Sequence, residues 1–281
     1  MTPTPIRSVN ESLPAKSGVW RRTRWLFSVF TLQGTDHNIN QDSFNCRPDH
    51  FWGVADGVGG GDYGEVASHL LLESMAALVK PMPNEIKLAL KETDARIDSH
   101  IRSLGKGMGA AVMACLWTQS STQCLAVHVG DCKILHLERK SGLWQYLWTS
   151  SDQSYAYEGL LPPPGVSLHA PANMVGSGMS SDPLIHELYV RNNERVILCS
   201  DGFSSHLNNP FVVGMVEKDT CPLQSGVAQT WCEGARKVGS QDDITVLIVE
   251  RKDLLTAMSW LAILFFVVLI FIFYLYLGSW V

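Results

Sequence analysis

The chain has 281 residues, of which 46% are hydrophobic and 17% charged, and its formal net charge is −5. This is the composition of a globular protein with room for one large domain or two small ones. No basic block is present, so the sequence gives no support to nucleic-acid binding. The 7 cysteines are odd in number and form no CxxC pair, which excludes both a disulfide framework and a zinc cluster as expectations.

The N-terminal residues 1–24 contain many Pro, Ser, Thr, Lys and Arg residues and lack the apolar core of a signal peptide. We therefore expect a loose N-terminal arm. A first strand is predicted at 25–33, followed by a polar loop that leads to Asp42. The folded domain is expected to span 25–252.

A short apolar run at 51–55 leads directly into Asp56, and four glycines lie between residues 57 and 61. The run is typical of a buried strand. The glycines allow a tight turn and leave space for a close approach to the backbone. Alone, this pattern fits an ordinary strand-to-loop turn equally well, because Asp-Gly is a common turn pair.

The same pattern of an apolar run with an acid at one end recurs at 125–131, 195–201 and 242–249. Neighbouring antiparallel strands run in opposite directions, so these strand ends can meet along one rim. Converging carboxylates repel each other, and burial adds to the cost of their charge. Mg²⁺ or Mn²⁺, with carboxylate and water oxygens as ligands, would relieve both. Two such ions about 3.5–4 Å apart commonly activate water against a phosphoryl group.

Two helices are predicted after Asp56 and its glycines, and a series of strands follows the helices. The first helix begins with a capping box formed by Asp62 and Glu65, and the second begins at Asn84 and ends at Gly105. The strands are predicted at 108–117, 123–129, 133–137 and 143–148. Two helices followed by an antiparallel meander favour a sandwich over a doubly wound parallel sheet.

The segment 152–183 is rich in Gly, Pro and Ser and shows no periodicity, so we interpret it as a flap over the site. Beyond it, strands are predicted at 184–190 and 195–199, a helical turn at 203–208, and a helix at 221–238.

Five short motifs resemble, in order and spacing, those of the metal-dependent protein phosphatases of bacterial type, the type 2C serine/threonine phosphatases. The motifs are NQDS at 40–43, VADGVGG with GEVAS at 54–68, VGD at 129–131, CSDG at 199–202 and DDIT at 242–245. The resemblance covers about residues 27–251. It implies an α+β fold in which two antiparallel β-sheets pack as a sandwich flanked by helices.

The resemblance also implies a metal centre. Two Mn²⁺ or Mg²⁺ ions would be held by three acids, Asp56, Asp201 and Asp242, with the carbonyl of Gly57 as a further ligand. Asp42 would support this centre from close by. Asp131 is similar to the residue that helps hold a third, looser ion in bacterial members.

The chain departs from the family pattern at the phosphate-binding position. His37 stands where the family usually has an arginine that grips the substrate phosphate. Arg21, Arg22 or Arg24 could replace that arginine from nearby. No histidine follows Gly57, so His37 is also the candidate for donating a proton to the leaving group, beside metal-bound water.

The function that these features imply is hydrolysis of phosphoserine or phosphothreonine in proteins by a metal-activated water, without a covalent intermediate. Asp56, Asp201 and His37 are the candidate catalytic residues. One alternative is a catalytically weak or inactive relative that binds a phosphoprotein as a regulator. Another is a metal-dependent hydrolase of a different phosphate ester.

The C-terminal segment 257–278 contains no charged residue and consists mainly of Leu, Ile, Phe and Val. As a helix it would span about 33 Å, enough for a bilayer core. A buried core helix is the alternative, but such helices are rarely apolar on every face. Arg251 and Lys252 precede the segment, which places the domain in the cytoplasm behind a single-pass anchor. The expected partners are a phosphorylated protein, such as a membrane-associated kinase or its target, and the lipid bilayer.

Overall fold

The computed structural model describes residues 23–35, 38–58, 63–105, 107–253 and 263–270. The strands within these ranges are β1 Thr23–Leu32, β2 Ser43–Arg47, β3 Phe51–Gly57, β4 Ala111–Thr118, β5 Gln123–Val129, β6 Lys133–Lys140, β7 Leu143–Thr149, β8 Leu184–Tyr189, β9 Glu194–Cys199 and β10 Ile244–Asp253. The α-helices are α1 Gly64–Ala76, α2 Pro83–Leu104, α3 Tyr155–Glu158, α4 Asp201–Ser204, α5 Pro210–Glu217 and α6 Val227–Lys237.

The strands form two five-stranded antiparallel sheets. One sheet has the order β1-β10-β9-β6-β7 and the other β2-β3-β4-β5-β8. A core of buried residues from both sheets, including Trp52, Leu116, Leu198 and Leu247, lies between them. The predicted α+β sandwich of two antiparallel sheets is confirmed.

The central strands are buried on both faces because each sheet packs against the other sheet and against helices. In β3, Phe51 joins the core beneath α1 and α2, while the next residue, Trp52, joins the core between the sheets. In β9, Ile197 joins the core beneath α5 and α6, while the next residue, Leu198, joins the core between the sheets. Side chains alternate between faces along a strand, so continuous apolar runs supply both cores.

The predicted helix starts are wrong by one or two residues. The first helix begins after Tyr63, which makes no side-chain cap hydrogen bond, and the predicted cap residue Asp62 lies outside the described residues. The second helix begins after Met82, with Pro83 at its first position. Pro83 has a fixed φ suited to a first turn, and the Glu85 carboxylate accepts a hydrogen bond of 2.7 Å from the Met82 backbone N–H.

The helix predicted at 221–238 is two elements. A 3₁₀ turn at Leu223–Ser225 ends at Gly226, whose φ of 79° breaks the helical path, and α6 begins at the next residue. The helix α5 was not predicted. Its start is capped by the Asn209 side chain, which accepts a hydrogen bond from the Phe211 N–H.

The flap segment 152–183 is tied to the domain at several points. Val175 pairs with Ala111 at the start of β4, through two backbone hydrogen bonds of 2.9 Å. The carboxylate of Asp94 on α2 accepts hydrogen bonds from the N–H groups of Gly176 and Gly178. At the other end, the Gln153 side chain accepts one from Gly130 N–H. The segment is therefore not a structureless loop.

The two ends of the chain lie mostly outside the described residues. Of the predicted N-terminal arm at 1–24, residues 1–22 lie outside the described residues, while Thr23 and Arg24 belong to β1, which begins two residues earlier than predicted. Most of the predicted membrane segment at 257–278 also lies outside the described residues. Within 263–270 the chain is helical and its apolar side chains are exposed. Across the described ranges, no helix combines the length and apolar character needed to cross a membrane.

Candidate metal centre

Strand ends carry the predicted acids to one rim of the sandwich. Asp56 is the penultimate residue of β3, and Asp131 follows β5 in the same sheet. In the other sheet, Asp201 opens α4 soon after β9 and Asp242 precedes the neighbouring strand β10. Each sheet thus contributes two of these acids.

The charges of these acids interact strongly. Burial raises the pKa of Asp56 well above its usual value, and the charges of Asp42, Asp201, Asp131 and Asp242 raise it further. These four neighbours include acids from both sheets, so the predicted acids lie close enough for their charges to affect one another.

The same effect extends to the other acids of the rim. Burial and then the charge of Asp201 raise the pKa of Asp131 to about 8. Burial and then the charge of Asp242 raise the pKa of Asp201 to about 6, and a hydrogen bond with the Asp56 carboxyl partly opposes that rise. Anionic carboxylates are disfavoured here without a compensating positive charge.

Asp42 is held in place by neighbouring side chains. It is buried, and its Oδ2 accepts a hydrogen bond of 2.8 Å from the Ser200 hydroxyl. Ser200 in turn accepts one from the Thr245 N–H at 2.9 Å. Burial raises the pKa of Asp42 despite these hydrogen bonds. Asp42 is therefore held in position at the rim by residues of two other segments of the chain.

Asp243 has a structural role that the sequence did not separate from that of Asp242. Its buried carboxylate accepts hydrogen bonds from the backbone N–H groups of Gly34 and Gln41, at 2.6 and 2.8 Å. These contacts fix both ends of the loop that leads to Asp42. Asp242 is exposed, and its Oδ1 accepts a hydrogen bond from the Asp243 N–H.

Two glycines allow the backbone to close around the acids. A Cβ at Gly57 would lie 2.4 Å from the backbone carbon of Gly64, at the start of α1. A Cβ at Gly202 would lie 2.0 Å from the backbone oxygen of Asp243. These positions accept no side chain without a shift of the backbone, so the glycines beside Asp56 and Asp201 are required by close packing.

The donor set fits a divalent cation. The Oδ1 atoms of Asp42 and Asp201 are buried and have no hydrogen-bond partner among the described residues. Buried polar atoms normally have a partner, and a hard cation takes carboxylate oxygens. In the described part of the chain, no three His, Cys, Asp or Glu side chains already form a group that could hold an ion by themselves. A site completed by the Gly57 carbonyl and water fits both observations.

Sequence reasoning missed two neighbours of the site. The charge of Asp152, the first residue of the flap, raises the pKa of both Asp131 and Asp201. Its carboxylate also forms an ion pair of 3.1 Å with Lys133 Nζ. His206 lines a pocket that contains Asp201 and Asp242. Only the position of Asp152 at the flap start could have signalled its role.

The candidate proton donor His37 lies outside the described residues, as do Arg21 and Arg22. Arg24 belongs to β1, and its side chain is outside the described set. The role of each of these residues stays a prediction.

A comparison with models of known protein families shows which family the chain belongs to. The model of the protein phosphatase 2C family matches residues 34–232. The chain belongs to the protein phosphatase 2C family. The matched range contains the site acids Asp42, Asp56, Asp131 and Asp201, and it ends before Asp242.

Relatives of this family member are known in sequence and structure. The serine/threonine protein phosphatase PstP of Mycobacterium tuberculosis is 26% identical over 213 residues, which is 71% of this chain and 40% of that protein. The chain thus spans less than half the length of this curated relative.

Two solved structures show the same fold. PppA, a key regulatory component of T6SS in Pseudomonas aeruginosa, is 19% identical with a TM-score of 0.67, over 82% of this chain and 100% of that one. The catalytic domain of PstP in complex with two manganese ions is 20% identical with a TM-score of 0.65, over 82% and 100% of the two chains.

Proposed function

We propose that this protein hydrolyses phosphoserine and phosphothreonine in proteins, with two Mn²⁺ or Mg²⁺ ions as cofactors. The observation that carries the proposal is a rim of acids that raise one another's pKa, two of whose carboxylate oxygens are buried without a hydrogen-bond partner among the described residues. Membership of the protein phosphatase 2C family supports it, and so does the name of the relative PstP as a serine/threonine protein phosphatase.

The site residues divide into ligands and supports. Asp56, Asp201 and Asp242, with the Gly57 carbonyl, would hold the two ions, and Asp131 would take part in a third, looser site. When bound, the cations supply Lewis acidity, which activates water as a nucleophile and offsets charge on the phosphoryl oxygens. The manganese ions in the PstP catalytic domain support this choice of metal.

The supporting residues keep the ligands in position. Ser200 anchors Asp42 from the β9 end, and Asp243 pins the loop before Asp42. Because these contacts cross between distant segments of the chain, the rim is preorganised for a cation rather than assembled by it. His37 remains our proposal for the group that donates a proton to the leaving alkoxide.

A catalytically weak relative that binds phosphoprotein is the rival function. In its favour, no Lys or Arg of the described part of the chain lines the pocket beside Asp201 and Asp242. Against it, the acids raise one another's pKa, so their ionised forms lower the stability of the fold when no metal is bound. A protein that only binds its partner would have no need to retain such a group of acids.

Metal removal tests the proposed function. We expect the purified chain to hydrolyse a phosphothreonine peptide with a rate that rises on Mn²⁺ titration and falls to background in EDTA. Hydrolysis of p-nitrophenyl phosphate with and without Mn²⁺ separates an active enzyme from a non-catalytic relative, and a comparison of the phosphopeptide with nucleotides separates a protein phosphatase from other phosphate-ester hydrolases. A chain without Mn²⁺-dependent hydrolysis of any of these substrates would be the binding protein instead.

We further propose that residues 257–278 tether the domain to a membrane, with the domain on the cytoplasmic side and its substrate, such as a kinase or its target, in the same membrane. The uncharged apolar sequence supports this, and tethering raises the local concentration of a substrate in the same membrane. We expect the full chain to stay with membranes after alkaline carbonate extraction and a chain ending at 252 to be released. Release of the full chain would refute the tether.

A further inference from the structure

A pocket of about 260 Å³ adjoins the candidate metal centre. One wall is the segment that begins at Asp201, and the other is the loop that leads into Asp242. The lining residues are Asp201, Gly202, Ser205, His206, Gly239, Ser240, Gln241 and Asp242. Both walls therefore carry a proposed metal ligand, and the pocket opens beside the place where a phosphoryl group would react.

The two walls are fixed to each other. The Ser240 hydroxyl donates a hydrogen bond of 2.8 Å to the Gly202 carbonyl. The Arg236 guanidinium donates to the carbonyls of Ser240 and Asp242, at 2.5 and 2.9 Å, and also to that of Gln33. Three of the five Arg236 N–H donors are used in these contacts with backbone carbonyls, so the guanidinium stabilises this wall of the pocket.

Among the described residues that line this pocket, only His206 has a side chain that can carry a positive charge. Its backbone is held in a helical turn, because its N–H donates to the Phe203 carbonyl and its carbonyl accepts from Asn209 N–H. The imidazole is half-buried and has no hydrogen-bond, ion-pair or ring partner within the described residues. A half-buried donor beside a site for a dianionic group is available for that group.

We propose that His206 binds the substrate by donating a hydrogen bond from its imidazole to a phosphoryl oxygen of the phosphoserine or phosphothreonine. The inference rests on the proposed phosphatase function and adds to it a residue that no motif of the sequence indicated. The pocket walls otherwise offer two carboxylates, two hydroxyls, an amide and backbone groups. His206 is thus a substrate-binding residue that partly fills the need for a phosphate-gripping side chain.

Steady-state kinetics on the full chain test the proposal. With a phosphothreonine peptide and saturating Mn²⁺, we expect His206→Ala to raise KM about tenfold, as for loss of one hydrogen bond to a charged group. We expect kcat to change less than about twofold, because a contact made equally in the ground and transition states affects KM alone. The inhibition constant of inorganic phosphate should rise by the same factor as KM.

Two further variants make the result specific. His206→Gln keeps an N–H donor in its side-chain amide, and we expect it to recover part of the lost affinity. This variant also replaces the alanine variant if that one does not fold. His100→Ala on the exposed face of α2 is the matched control and should behave as wild type. The Mn²⁺ dissociation constant, measured by calorimetry, should be the same in all four proteins.

The outcomes separate this inference from the function on which it rests. A wild-type chain without Mn²⁺-dependent hydrolysis would overturn the proposed function itself. An active wild type with an unchanged KM and phosphate inhibition constant in His206→Ala would overturn the contact alone. Loss of kcat without a change in KM, or a parallel loss of Mn²⁺ affinity, would also overturn it, because either result assigns His206 a different role.

Discussion

Replacement of Asp56 or Asp201 by asparagine is expected to lower kcat/KM for a phosphothreonine peptide by at least about a thousandfold at saturating Mn²⁺. Asparagine has nearly the same shape as aspartate but lacks the charge that binds a divalent cation. These carboxylates are buried and repel each other, so their charges lower the free energy of unfolding when no metal is bound. The neutral asparagine variants remove this destabilising charge. The variants should therefore fold at least as stably as wild type in the absence of metal.

Rate measurements test the loss of activity in these variants, and melting temperatures in EDTA test their stability without metal. Their Mn²⁺ affinities test whether the carboxylates bind the cation. Asp98→Asn is the matched control, because Asp98 is a partly exposed residue of α2 that pairs with the exposed Arg102. An exposed ion pair of this kind contributes little, so this variant should retain wild-type activity. Asp56→Asn with wild-type kcat/KM would show that the rim is not the site of reaction.

Replacement of Gly202 by alanine is expected to cost about 3 kcal/mol of folding stability, at the upper end of the range for overpacking a filled interior. The added Cβ would lie 2.0 Å from the Asp243 backbone oxygen, where no flexible side chain can yield. The backbone must then move, and with it Asp243, which pins the loop before Asp42. We therefore also expect weaker binding of Mn²⁺ by any protein that remains folded.

Chemical denaturation in EDTA measures the first effect and calorimetry with Mn²⁺ the second. Gly214→Ala in α5 is the control, since a Cβ there meets nothing within 4 Å. Alanine favours a helix over glycine by up to about 1 kcal/mol, so this variant should be equal to or more stable than wild type. If Gly202→Ala were as stable as Gly214→Ala, the close approach between Gly202 and Asp243 would not matter.

Most strands were predictable because apolar runs bounded by glycines and acids mark strands directly, whereas the edge strand β2, Ser43–Arg47, was not predicted because it is short and mostly polar. The strand Gln123–Val129 lies where the sequence placed it, and the acids at the strand ends were found by the same pattern. The interruption at Gly226 was missed because an isolated glycine within an apolar helical pattern is compatible with a continuing helix.

The site was only partly predictable, for a different reason. The acids next to strands were found because strand direction implies which ends meet. Asp152 and His206 reach the same rim from a flap and from a turn after α4, and no local pattern shows where such segments pack. Likewise, the adjacent acids Asp242 and Asp243 could not be given separate roles until the backbone N–H partners of Asp243 were known.

The central claim is that the fold brings acids distant in the sequence to one rim, where they bind divalent cations. Crystals soaked in Mn²⁺, with anomalous scattering measured at the manganese edge, test it most directly. We expect two strong peaks in contact with the carboxylates of Asp56, Asp201 and Asp242. Well-occupied manganese elsewhere with none at these carboxylates, or no peak at all at millimolar Mn²⁺, would contradict the account.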